Sequence, residues 1–163
     1  MIENGYYKIQ QYFFDYFSKE YQCAFIDTKN QNRPILCCIK DSKIDNLFWA
    51  VPTGSTENKN LERINKYLNY DRKSLGHSFY HLGKTNKDAI FYISDTFPII
   101  DKYIDSEYIS QGNHLILKNV SLKKEITFKL KNILAYENMH NNYFRQRISD
   151  IKSHLIYELT NPF

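Results

Sequence analysis

Cysteine is scarce in this chain: Cys23, Cys37 and Cys38 are the only three. An odd number without metal-ligand spacing argues against both a disulfide framework and a zinc site, and points to thiols in a reducing compartment. Cys37 and Cys38 are adjacent in an apolar run that reads as a strand, so they are expected on opposite faces. Glycine and proline are few as well, five and four. No Gly/Pro-rich linker, repeat or low-complexity tract breaks residues 1–163, which read as a single domain. No apolar run approaches the roughly 18 residues that a bilayer crossing needs. Met1–Gly5 is polar, and the aromatic stretch after it carries Lys8, Asp15, Lys19 and Glu20, unlike the core of a signal peptide. A cytoplasmic location is the expectation.

Several catalytic signatures are also missing. There is no glycine-rich phosphate loop, no dinucleotide fingerprint, no Gly-x-Ser-x-Gly turn and no clustered carboxylates suited to magnesium. His77, His81, His114, His140 and His154 include no pair at zinc spacing. Phosphate chemistry in such a chain has to proceed without a metal and without a nucleotide cofactor.

What is present is mildly basic and rich in rings. The net charge of +4 permits an anionic partner without requiring one. Tyr and Phe number 14 and 11. Two explanations stay open for them: the codon bias of an AT-rich genome, or exposed rings on which the bases of single-stranded RNA stack.

The periodicity predicts a short strand over Tyr6–Ile9 and a helix over Gln10–Tyr21, with Phe13, Phe14, Phe17 and Tyr21 at helical spacing. Asp27–Arg33 is a polar, basic loop. Pro34 then introduces a hairpin of Ile35–Lys40 and Asn46–Val51 around the turn Asp41–Asp45, closed by Pro52. A helix from Glu57 to Arg72 is expected after Thr53-Gly54-Ser55-Thr56, with an apolar stripe of Leu61, Ile64 and Leu68. Ser78–Leu82 and Ala89–Ser94 read as strands joined by the turn Gly83–Asp88; Glu107–Ser110 and Leu115–Lys118 are weaker strands. Ser121 is the expected cap of a helix buried through Ile126, Leu130, Ile133 and Leu134. A last helix from about Asp150 buries Ile151, Leu155 and Leu159. Short strands mixed with helices predict an α+β fold built on a small, strongly bent sheet or barrel.

The stretch from Trp49 to Lys59 is the most informative chemically. A buried strand ends in a hydroxyl-rich turn and a helix begins. With Thr56 as N-cap, unpaired amides and the positive end of the helix dipole make a phosphate site. Ser55 and Thr53 supply hydroxyls there, and Lys59 in the first turn can reach back. Taken locally, a Ser or Thr before a helix is usually only a cap and such a lysine usually only solvated. Arg33 adds a second line: the start of one hairpin strand neighbours the end of the other, so Arg33 and Ser55 are expected close together as a phosphate clamp. His77 and His81 flank a predicted strand and are candidate acids or bases. Lys29 and Arg33 in the first loop, with Lys84 and Lys87 in the second hairpin turn, are candidates for a shared basic rim.

Two stretches resemble the ToxN/AbiQ family of type III toxin–antitoxin toxins, nearest its CptN branch. One is Asn32-Arg33-Pro34 with the strand Ile35–Ile39, then Leu47–Pro52, Ser55 and Lys59. The other is Ala89-Ile90-Phe91-Tyr92-Ile93 running into Phe97-Pro98-Ile99 and Lys102-Tyr103-Ile104. The resemblance implies an SH3-like barrel with added helices, similar to the MazF/Kid toxins. It implies a metal-independent endoribonuclease that cleaves single-stranded cellular RNA, uses no cofactor, and assembles with a small repeat-derived antitoxin RNA that inhibits it. Ser55 and Lys59 take the family's active-site hydroxyl and lysine, and Arg33 the basic residue of the loop. Family members often carry two adjacent hydroxyl residues where this chain has Gly54-Ser55, with Thr53 and Thr56 the possible substitutes. Attack of the ribose 2′-OH on its own phosphate is the simplest metal-free route, with Lys59, Arg33 and the amides near Thr56 stabilising charge and Ser55 and Thr53 orienting the reacting groups. The general base stays open among Lys59, His77 and His81. The rival reading is a non-catalytic RNA-binding domain of similar fold.

Overall fold

The computed structural model describes residues 1–26, 33–57, 59 and 61–162. The fold is α+β, as the mixed periodicities predict: nine strands and four α-helices are found among the described residues. The strands are β1 (Tyr6–Ile9), β2 (Ile35–Lys40), β3 (Phe48–Ser55), β4 (Tyr80–Lys84), β5 (Asp88–Tyr92), β6 (Phe97–Ile99), β7 (Ile104–Glu107), β8 (Ile109–Ser110) and β9 (Asn113–His114). The helices are α1 (Gln11–Tyr21), α2 (Glu62–Leu68), α3 (Val120–Met139) and α4 (Ile148–Thr160). No described helix is long and apolar enough to cross a membrane.

Seven strands form an antiparallel sheet in the order β4-β5-β3-β2-β1-β7, with β6 also paired to β3. One edge of β3 is shared: Phe48–Ala50 pair with β6, and Thr53–Ser55 pair with β5. Register shifts in the β1–β7 and β2–β3 ladders add local twist.

Apolar residues occupy both faces of β1–β3 because both faces of the sheet are covered. Tyr7, Ile9, Ile35, Phe48 and Ala50 face a core completed by Phe13 and Phe17 of α1 and by Ile151 and Leu155 of α4. The alternate residues Tyr6, Leu36, Trp49 and Val51 face the other core, with Leu122, Ile126, Leu130 and Ile133 of α3. A smaller cluster joins Ile64 of α2 to Ile90 and Tyr92. Phe13, Phe17 and Ile133 are wholly buried; truncating such a phenylalanine to alanine costs about 3–5 kcal/mol.

Four expectations are corrected. The second hairpin strand does not stop at Pro52 but runs to Ser55. Pro52 is the last residue paired with β2, and β5 pairing starts at Thr53, so the missing N–H falls at a handover between ladders. The helix expected from Glu57 begins only at Glu62, with Leu61 at its N-cap, so Thr56 is not the cap of this helix. In α3 the cap is Asn119, whose side chain accepts from the Leu122 amide at 3.0 Å, rather than Ser121. His81 lies inside β4 instead of flanking it, and His77 sits in a 3-10 turn, Gly76–Ser78.

Candidate functional site

The β2–β3 hairpin brings the start of one strand against the end of the other, with Ile35 opposite Pro52. One step outward, the buried Thr53 donates its hydroxyl to the Pro34 carbonyl at 2.6 Å. This bond pins Arg33-Pro34 to the end of β3. Thr53 and Ser55 share one face of the strand, since side chains alternate. Gly54 faces the other way, where an added Cβ would stand 3.0 Å from the Tyr92 ring. The same ring lies under the guanidinium of Arg33, 5.7 Å from its centroid.

These residues open onto a cavity of about 240 Å³. Arg33, Thr53 and Ser55 line it from the hairpin, and Thr85, Asn86 and Lys87 line it from the β4–β5 turn. That turn is carried in by β5, which pairs Ala89 with Ser55. Tyr6 enters from β1, next to β2. Tyr108 and Leu115 close the far wall, held by Tyr108 N–H to Tyr6 O and Tyr6 N–H to Leu115 O, both 2.9 Å.

The cavity is cationic and rich in hydroxyls. Arg33 and Lys87 supply charge, and Ser55, Tyr6 and Tyr108 supply O–H groups, while Thr53 and Thr85 donate theirs to the Pro34 carbonyl and to Asn86 Oδ1; no carboxylate or histidine is among the described residues that line it. Ser55 Oγ accepts from the Glu57 amide at 3.1 Å, which fixes the oxygen and leaves its proton to donate. Tyr6 is 2% exposed, and burial pushes its phenol well above the ordinary tyrosine range, so it stays protonated. Thr85 lies beside it, yet no group among the described residues meets the phenol oxygen in hydrogen-bonding geometry. Among the described residues, no three His, Cys, Asp or Glu side chains group as metal ligands do. Such a cavity suits an anion with several acceptor oxygens, a phosphate above all.

Of the residues singled out in the sequence, Arg33, Thr53, Ser55 and Lys87 meet here. Lys59 is exposed and Thr56 lies at a bend just past β3, and neither lines the cavity. Lys84 is exposed at the end of β4. Lys29 lies outside the described residues. His77 Nδ1 is 3.1 Å from the Leu68 carbonyl, joining its turn to the end of α2. His81 is half-buried beside Lys129, and its partial burial followed by that charge holds its pKa down at about 4. Neither histidine lines the cavity. Tyr6, Thr85, Asn86 and Tyr108 had no local signal: each is an ordinary strand or turn residue that only the tertiary fold brings to Arg33.

Compared with known protein families and with characterised proteins, the sequence matches none.

Proposed function

We propose that the chain is a metal-independent endoribonuclease toxin acting on single-stranded RNA in the cytoplasm and restrained by a small antitoxin RNA. The observation that carries this reading is the convergence of Arg33, Lys87, Thr53 and Ser55 on one phosphate-sized cavity. The resemblance of the stretches that carry Arg33 and Ser55 to the ToxN/AbiQ family supports it independently of the geometry.

In this reading the scissile phosphate sits between Arg33 and Lys87. The ribose 2′-oxygen attacks phosphorus, the bond to the 5′-oxygen breaks, and the products are a 2′,3′-cyclic phosphate and a 5′-OH. Arg33 and Lys87 stabilise the charge that builds on the non-bridging oxygens, and Ser55 donates to one of them. The proton of the 2′-OH leaves to solvent or to a base outside the described lining, and the departing 5′-oxygen takes a proton from solvent to become the 5′-OH. Tyr6, held protonated, faces the reacting groups as a donor. His81, neutral and half-buried near α3, takes no part.

The test is to incubate purified protein with single-stranded RNA in EDTA and to map the ends. Cleavage leaving cyclic phosphate and 5′-OH, lost in Arg33→Ala, is the expected result. A mobility shift without cleavage assigns the chain to the rival class of non-catalytic RNA-binding domains.

A further inference from the structure

We infer that the outward face of α3, with the β2–β3 turn and α4 beside it, is a second, lysine-lined track that binds the sugar–phosphate backbone of single-stranded RNA. The choice of RNA over other nucleic acid rests on the function proposed above; the track itself rests on the following observations.

Two hollows lie side by side along α3. One, of about 320 Å³, has Lys40, Lys43, Lys131 and Lys152 around an apolar floor that includes Trp49 and Leu134; the other, of about 400 Å³, has Lys123, Lys124 and again Lys131 beside Val120 and Phe128. Thr127 and Lys131 line both, so the two are continuous. Lys123, Lys124, Thr127, Lys131 and Asn138 follow helical spacing on the face opposite the buried Ile126, Leu130 and Ile133. From Lys123 to Asn138 the stripe runs about 22 Å at 1.5 Å per residue, room for several nucleotides.

The charge there is uncompensated. Only two carboxylates line the hollows, Asp41 and Glu137, and both are satisfied internally. Asp41 accepts from the Lys43 and Ile44 amides, the Trp49 indole and Lys152. Glu137, 2% exposed, accepts from the Asn142, Tyr143 and Ser149 amides and the Ser149 hydroxyl. Lys152 is engaged by Asp41, whereas Lys40, Lys43, Lys123, Lys124 and Lys131 form no ion pair among the described residues. Six lysines against two carboxylates equals the net charge of the whole chain, +4, so all other charges cancel.

The composition selects the partner. Interfaces with proteins are poor in lysine and rich in arginine, but six lysines and no arginine line these hollows. Lysines that contact phosphates position a strand without reading its bases. A narrow stripe of charge along one helix also suits a strand better than a broad membrane surface. The track lies at the far end of β2 from Arg33, and the strand between them, Ile35 to Lys40, spans about 17 Å at 3.3–3.4 Å per residue, so the track is distinct from the cavity.

The experiment measures binding of a fluorescein-labelled 2′-O-methyl oligouridine over a salt series, with the full chain and with Lys124→Glu/Lys131→Glu. Both positions are exposed, so the fold should hold, and circular dichroism checks this. The expected result is affinity lower by about tenfold or more and a log–log salt slope shallower by about one to three, with cleavage of a uridine dinucleotide unchanged. The 2′-O-methyl strand lacks the attacking hydroxyl, so binding is read independently of cleavage. Weakened binding in the variant supports the track even if the protein cuts no RNA. Unchanged affinity and slope overturn it even if the protein does. Variant-sensitive binding to phosphatidylserine vesicles, with oligonucleotide binding unaltered, also overturns it and assigns the face to a membrane.

Discussion

Thr53 donates its hydroxyl to the carbonyl of Pro34 across 2.6 Å, and through that bond the end of β3 holds Arg33 at the mouth of the cavity. Removing it should act on geometry more than on stability. Thr53→Val leaves a carbonyl without its donor, at a cost of about 1–2 kcal/mol. Cleavage should fall by an order of magnitude or more through kcat, because a displaced Arg33 meets the transition state poorly. Thr53→Ser keeps the donor and should retain most activity. Thermal unfolding and steady-state cleavage of both variants check this, and equal activity in Val and Ser would remove the positioning role.

Arg33 and Lys87 should be separable from Lys59. Loss of a charge facing the phosphate typically costs a hundredfold or more in kcat, so Arg33→Ala and Lys87→Ala should both be severely impaired. Arg33→Lys should recover little, since a point charge does not replace the planar fork. Lys59 is exposed and does not line the cavity, so Lys59→Ala should keep activity within about tenfold of the parent and change stability by no more than about 0.5 kcal/mol. The reverse order, with Lys59→Ala the worst of the three, would follow the family resemblance and move the site off this cavity.

The part of this site that could be read from the sequence is the part made by neighbours in one hairpin. Arg33, Thr53 and Ser55 come together because strand pairing follows from the turn between Lys40 and Phe48, and such pairing has local signals. The start of α2 misled because Ser55-Thr56 looks like a cap. Ser55 does accept an amide proton, from Glu57, but in a turn that lies several residues before α2 starts at Glu62. Helix is stable only where its apolar face is buried, and that begins with Ile64 against Ile90 and Tyr92. Tyr6 and Tyr108 were illegible for another reason. Each reaches Arg33 through pairings made across long stretches of chain, and nothing near either residue records them.

His81 gives a pH signature that the cavity does not. Its folded pKa is about 4, against an ordinary 6.5, because of burial and then Lys129, with His77 and Arg72 acting the same way and Glu125 opposing. Between those values the unfolded chain binds a proton that the folded chain refuses. Stability should therefore fall as pH drops from about 6.5 to about 4, and stop falling on this account below that. With solvent screening at a partly exposed ring allowed for, the loss is about 2 kcal/mol. Urea unfolding of the parent and of His81→Gln at neutral and mildly acidic pH isolates the contribution of His81: the variant should lose less stability on acidification. The same variant should still cut RNA, and loss of cleavage in a folded His81→Gln would make the histidine part of the mechanism after all.

Tyr6 separates stability from catalysis most sharply. Its ring is packed in the α3-side core, while its phenol oxygen reaches the cavity wall without a hydrogen-bond partner among the described residues. A buried polar group in that condition costs stability, typically about 1–3 kcal/mol when nothing compensates it. Tyr6→Phe keeps the ring and removes the oxygen, so the variant should be at least as stable as the parent. A phosphate held by Arg33 and Lys87 offers acceptor oxygens to that hydroxyl, which has only Thr85 beside it among the described residues. The variant should then lose about tenfold to a hundredfold in cleavage, as expected for one donor to developing charge. If the bond forms only in the transition state, the loss falls on kcat; if it forms with the bound substrate equally, it falls on KM. Thermal unfolding with steady-state kinetics on Tyr6→Phe reads both quantities from one preparation. A variant that is less stable and fully active would show that Tyr6 serves the core alone, its hydroxyl bonded within the fold.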